Sequence, residues 1–524
     1  MGLRSPVGSL TGTWIISPQG YTMDTVIPLL PDWILDNIPI IIFSVIVGSA
    51  ILIPIMLYFT NKGLPPGPIG LPFFGVYPVL NEKNCTAYLG SWKKNFGDFY
   101  SFKCVGNLYL SLGSFKAVRE AHVAKSEFFG GRYEEYNLLT AIFADGVGFV
   151  NGEPWRVLRK YFLQVFKERG MLSANDYVSS SIYESVQATV DELKEKAGQP
   201  VDIVQLLTDK CMTVAKLIMF GEDGVTDGQI REINEHYAGI MVAQTSTNLL
   251  LTGNLARYVI LPLTPGYRKF KKSQALCENL LFKIINEHKA TYNEDNVRDV
   301  IDEYIRERNE RQSKQDPSYK HFTDKALVST LVQIVGDGVL SLATFIVVYI
   351  KMVLDHPEEQ DKIYKEVVEV VGTDRLPTAE DKSKLVYTNA FLMEGMRTND
   401  FFPFFPSMQC TKETTIRGYR IPKGTITLMN LWSAHNDPEV YHEPEKFDPS
   451  RYLERDGHKR PELPITFGVG KRACVGEGYV MLQVFLFLTS LIQNFHIRLQ
   501  NDEEHDIMEL LYNGKLRILV EPRN

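Results

Sequence analysis

Along most of this chain, apolar residues return every three or four positions, the spacing that gathers them on one face of an α-helix. Residues 180–197, 274–290 and 297–312 follow that rule, and each predicts a helix with one buried stripe. Residues 323–355 and 479–492 are apolar nearly all round, so they predict helices enclosed by protein on every side. Strand-like segments are confined to two regions. Residues 100–104 and 109–112 read as an early hairpin, and residues 415–428 and 495–499 as later sheet pieces. The pattern predicts a mainly α fold, a large helical domain with a small β-rich subdomain, and it contains no internal repeat.

One apolar stretch stands apart. Residues 37–61 carry no charge and are long enough as a helix to cross a hydrocarbon core of about 30 Å. Pro39 and Pro54 are irregularities that a spanning helix tolerates. The nearest charges before it are Asp32 and Asp36, whereas Lys62, Lys83, Lys93 and Lys94 follow it. The positive-inside bias therefore predicts a single-pass anchor with the N-terminus outside and the remainder in the cytosol. Next comes Leu64-Pro65-Pro66-Gly67-Pro68-Ile69-Gly70-Leu71-Pro72, a stiff non-helical connector. The expected organisation is a tail at 1–36, a transmembrane anchor at 37–61, a Pro-rich hinge at 62–72 and a catalytic domain at 73–524.

Composition narrows the class without settling it. With 524 residues and 44% hydrophobic content, the chain can bury a substantial core. A net charge of −7 with no basic tract argues against a nucleic-acid partner. Six irregularly spaced cysteines do not form a disulfide framework, which fits a reducing compartment.

The chemistry concentrates at Phe467-Gly468-Val469-Gly470-Lys471-Arg472-Ala473-Cys474-Val475-Gly476. This glycine-rich loop ends in one cysteine at the mouth of the 479–492 helix. A structural zinc site wants four ligands, and no second Cys or His cluster is present. A dinucleotide loop would follow a clear strand and be followed by an acid at the ribose distance, and neither is found. A buried, inert cysteine is the bland alternative. A single thiolate on a metal points to haem, where an axial cysteine favours cleavage of an oxygen–oxygen bond. Gly468 and Gly470 would let the backbone curl over the sulfur, and the helix N-terminus would hold it ionised. Arg472 would meet an acidic haem side chain, and Phe467 would shield the thiolate from water.

With Phe-x-x-Gly-x-Arg-x-Cys-x-Gly complete, the sequence resembles the cytochrome P-450 superfamily over nearly the whole chain beyond Gly63. Glu394-Gly395-Met396-Arg397 resembles the family's helix K motif, and Arg451, within the 444–452 meander segment, would complete a structural network with Glu394 and Arg397. Trp155 and Arg159 resemble the helix C pair that neutralises a haem propionate; their i, i+4 spacing aims both at one place. The resemblance implies haem b held by Cys474, and a monooxygenase of the microsomal clan, anchored in the endoplasmic reticulum membrane. It further implies electrons from NADPH through a partner NADPH-cytochrome reductase, insertion of one oxygen atom from O2 into a lipophilic small molecule, and a docking face formed by Arg156, Lys160, Lys167 and Lys471.

Two positions depart from the family. Counting back from His356-Pro357, the helix I motif falls on Asp337-Gly338-Val339-Leu340-Ser341, so the usual acid has become Leu340. Ser341 keeps the hydroxyl, and Asp337, one turn earlier, is either a substitute proton source or a structurally paired carboxylate. Met408 stands where relatives place a donor for a propionate, and methionine cannot donate. These losses leave two alternatives open: a haem-thiolate isomerase or dehydratase without reductive oxygen activation, and a haem-binding sensor. The degenerate helix I suggests the ecdysteroid-pathway members, hence a sterol substrate.

Overall fold

The early hairpin forms where its alternation predicts it. In the computed structural model, β1 (Phe99–Cys104) and β2 (Asn107–Leu112) pair antiparallel, Phe99 opposite Leu112. Their two-residue turn places Val105 at φ 46° and Gly106 at φ 79°, as a primed turn requires. A β-branched residue is strained there. The strain is held by the two residues that follow the proline connector, because Val105 N–H donates to Phe74 O at 3.2 Å and Gly106 N–H to Phe73 O at 2.8 Å.

The structure describes residues 37, 40, 42, 44, 48, 61–81, 83–170, 176–398, 403–454, 460–500 and 516–523. The tail and most of the predicted span at 37–61 lie outside them; the five described residues of that span before 61 are helical. The chain divides into Met1–Lys62 and Gly63–Asn524. Within the second unit the proline connector packs on the hairpin: Ser101 N–H donates to Pro66 O at 2.8 Å and Ser101 Oγ to Pro65 O at 2.8 Å.

Among the described residues ten longer helices follow, together with short turns between them. They are α1 (Gly152–Glu168), α2 (Asp176–Glu195), α3 (Ile203–Phe220), α4 (Asp227–Met241), α5 (Tyr267–Thr291), α6 (Val300–Ser313), α7 (Asp324–Asp355), α8 (Pro357–Val371), α9 (Val386–Thr398) and α10 (Glu477–Asn494). The amphipathic runs thus fall on α2, α5 and α6, and the all-round apolar ones on α7 and α10. Local chemistry sets their starts. Thr323 Oγ1 accepts from Ala326 N–H at the head of α7, and Thr226 with Gln229 forms a capping box on α4.

The later strands complete three small sheets. β4 (Phe405–Gln409) and β7 (Ile426–Met429) join the hairpin in the order β1-β2-β7-β4, with β2 and β7 parallel. β5 (Thr414–Ile416) and β6 (Tyr419–Ile421) form a hairpin, and β3 (Val201–Asp202), β9 (Arg517–Pro522) and β8 (Phe495–Leu499) form the third sheet.

Two hydrophobic cores meet along α7. Leu327, Leu331 and Val335 belong to one, Leu342, Ile346 and Ile350 to the other. At the junction, Asp337–Ser341 winds as a π-turn instead of regular α-helix. Such turns widen a helix and occur often where side chains are presented for function.

Candidate functional site

The cysteine loop enters as a bend, a short turn at Gly470–Arg472, and then α10 from Glu477. Gly468 (φ 77°) and Gly470 (φ 76°) adopt left-handed backbone, the conformation expected of a loop curling over its sulfur. Gly470 is also required by space, since a Cβ there would fall 2.5 Å from His122 O. Cys474 N–H donates to Phe467 O at 2.9 Å, and the Phe467 ring packs edge-on against Phe345 of α7.

Of the six cysteines, Cys474 alone is solvent-accessible; Cys85, Cys104, Cys211, Cys277 and Cys410 are buried. Gly476 N–H points at its Sγ at 3.4 Å. That contact favours the thiolate, as the loop predicts, but desolvation outweighs it and the thiol is raised above its ordinary value. The nearby carboxylate of Asp337 pushes the same way. Asp337 keeps some solvent-accessible surface although the protein packed around its carboxylate desolvates it, and Val335, Gly336 and Val339 beside it are buried.

The basic residues converge on the loop from three segments. Arg472 donates to Gly130 O at 3.0 Å, Val150 O at 3.0 Å and Asn151 Oδ1 at 3.2 Å, and its guanidinium stacks on the Trp155 ring at 4.0 Å. Arg159 donates to Ala473 O at 3.1 Å. Arg132, which sequence reasoning missed, donates to Gly148 O at 3.1 Å beside them. Burial lowers all three, Arg472 to about 9 and Arg132 to about 10, and repulsion from the neighbouring guanidinium groups adds to it for Arg472 and Arg132. Among the described residues the hydrogen bonds of Arg159 and Arg472 go to backbone carbonyls and Asn151, none to a carboxylate. Trp155 Nε1 and Arg472 Nη1 are buried without an acceptor.

Orphaned donors and a cluster of repelling cations beside an accessible cysteine fit a flat, apolar group carrying two carboxylates. The haem expected from the sequence meets that description, with Trp155, Arg159 and Arg472 toward its acidic edge and Arg132 as a further cation. Met408, on β4, is buried and supplies only its backbone carbonyl, to Thr427 Oγ1 at 3.1 Å. Arg132 lies in Gly130-Gly131-Arg132, and nothing in that spacing alone distinguishes it from a surface arginine.

On α7, Asp337 Oδ1 accepts hydrogen bonds from Ser341 Oγ at 3.4 Å and from Tyr237 OH of α4. The sequence-predicted pair is therefore brought together, with Tyr237 as an unforeseen third member. Burial raises Asp337 to about 6. Leu340 turns to pack with the apolar core.

The ion-pair scaffold closes as its spacing predicts. Arg397 grips Glu394 with two hydrogen bonds of 2.8 and 2.7 Å, and Arg451 Nε reaches Glu394 Oε1 at 3.1 Å. Arg397 also donates to the carbonyls of His435, Pro444 and Lys446, tying the meander segment to α9.

A family model described as Cytochrome P450 matches residues 65–522. Cytochrome P450 2F3 of Capra hircus is 30% identical over 457 residues, which cover 85% of this chain and 91% of that protein. Cytochrome P450 2B12 of Rattus norvegicus is 31% identical over 446 residues, 83% of this chain and 88% of the relative. Cytochrome P450 2C7 of the same species is 27% identical over 460 residues, 87% and 92% respectively.

Proposed function

The chain belongs to the cytochrome P450 family, a haem-thiolate monooxygenase whose iron takes an axial cysteine, and on that premise we propose that Cys474 supplies the thiolate. One observation carries the assignment: it is the single accessible cysteine, at the head of α10 and beside orphaned buried donors. Trp155, Arg159 and Arg472 would hold the haem carboxylates, and Phe467 would shield the thiolate from water. The bound haem supplies oxygen activation. Asp337 and Ser341 would handle protons, a role supported by their shared hydrogen bond and by an acid poised near neutrality. That pair supports oxygen activation over the isomerase and sensor alternatives.

Electrons come from NADPH through a reductase. Arg156, Lys160, Lys167 and Lys471 are all exposed, which suits a docking face of positive charge. The enzyme is anchored in the endoplasmic reticulum membrane by residues 37–61, with the catalytic domain in the cytosol, and its substrate is lipophilic, a sterol by likeness to ecdysteroid-pathway members. The assignment of the ligand is tested by Cys474→Ser. The reduced, carbon-monoxide-bound spectrum of a haem thiolate is expected to vanish in that variant; an unchanged spectrum refutes it.

A further inference from the structure

Tyr237 carries no motif, yet its place is built. On α4 the buried positions Ile230, Ile233, Tyr237 and Ile240 form the stripe facing inward. The phenol is 1% exposed, so its hydroxyl needs a partner inside the protein. It donates to Asp337 Oδ1. The neighbouring position on α7 is shaped for the ring: a Cβ on Gly336 would fall 2.2 Å from Tyr237 Cδ2. Any side chain there would push the ring off the helix.

The same contact divides the work of the carboxylate. Oδ1 takes both hydrogen bonds, from Tyr237 and Ser341, while Oδ2 has no hydrogen-bond partner among the described residues. The surrounding titratable groups are Tyr237 from α4, Cys277 of α5 behind the phenol, and Cys474 of the glycine-rich loop. No basic side chain acts on it, so the two hydroxyls alone stabilise its charged form against burial.

We propose that Tyr237 is a positioning residue for the proton chemistry: seated in the Gly336 notch, its hydroxyl fixes Asp337 Oδ1 so that Oδ2 holds the exchangeable proton beside Ser341. The arrangement moves the acid function of helix I from Leu340 to Asp337, one turn earlier, and anchors it from a different helix. It rests on the assignment of Asp337 to proton handling made above. Because the anchor comes from α4, a displacement of that helix changes the acid directly.

The test uses full-length, haem-loaded protein with carboxyl-labelled aspartate, titrated by infrared difference spectroscopy in the resting ferric state, without turnover. Tyr237→Phe keeps the ring in its notch and removes one hydrogen bond to the charged form. The Asp337 carboxyl is then expected to titrate about one pH unit higher, a tenfold change in its ionisation. The alkaline limb of the pH profile of coupled product formation moves up with it. Gly336→Ala displaces the ring without altering the phenol and is expected to give the same two shifts. An unshifted titration in both variants overturns the proposal. If Asp337→Asn leaves coupling intact, the underlying assignment of Asp337 falls and this one with it. If Asp337→Asn uncouples NADPH oxidation from product while Tyr237→Phe and Gly336→Ala change nothing, Tyr237 alone is removed.

Discussion

Arg472 illustrates how a single side chain serves two ends. Three of its donors satisfy loop carbonyls and Asn151, while Nη1 stays without an acceptor. A buried unpaired donor costs about 1–3 kcal/mol, which an arriving carboxylate recovers. Arg472→Leu is therefore expected to release haem faster to a scavenging apoprotein, and esterifying both haem carboxylates should weaken retention by the parent protein more than by the variant. Asp337 gives a prediction in pH. Its folded value of about 6 lies above the ordinary 3.8, so its contribution to stability is full below 3.8 and is lost as pH rises through 6. Asp337→Asn should thus become more stable relative to the parent between pH 4 and 7, as denaturant unfolding of the haem-free protein would measure. At this scale the cysteine loop and the Trp155–Arg159 pair were legible because each motif is local. Tyr237 was not, since it reaches an acid 100 residues away and only tertiary packing joins them.

Between residues and the whole, α9 is held to the meander by charge rather than by apolar packing alone. Glu394 and Arg397 are fully buried, and removing one partner of such a pair typically costs about 3–5 kcal/mol because the other charge is stranded. Glu394→Ala strands two guanidinium groups, and a loss of that size is expected in chemical unfolding, together with lower haem content. Gly470→Ala combines a left-handed backbone with a Cβ at 2.5 Å from His122 O, and it should lower haem retention while leaving most helices intact by circular dichroism. Periodicity located the early hairpin, α2, α5, α6, α7 and α10. It missed β4, which contains Pro406 and a register shift, and β3, which is two residues long. The π-turn in α7 was invisible because residues four apart share a face in either winding.

Across the whole molecule, the connector at 64–72 belongs to the folded body: the carbonyls of Pro65 and Pro66 accept hydrogen bonds from Ser101, and Phe73 and Phe74 just after it brace the strained turn of β1 and β2. Its stiffness was legible from proline content, its docking partner was not. The anchor proposed at 37–61 predicts that the full chain resists alkaline carbonate extraction from membranes, whereas replacing Ile51 and Leu52 by Lys releases it. Reduction by the reductase should slow as salt is raised, and Lys160→Glu should slow it at low salt, if the exposed cations meet an acidic partner.

The segregation of the six cysteine thiols has a practical corollary. With five sealed in the interior, alkylation of the native protein has one target, and with Cys474 as the proposed iron ligand, binding of the haem would remove it. A thiol-specific dye should accordingly tag one equivalent per molecule lacking prosthetic group and none per intact holoprotein, so dye stoichiometry becomes a direct count of the damaged fraction in any preparation.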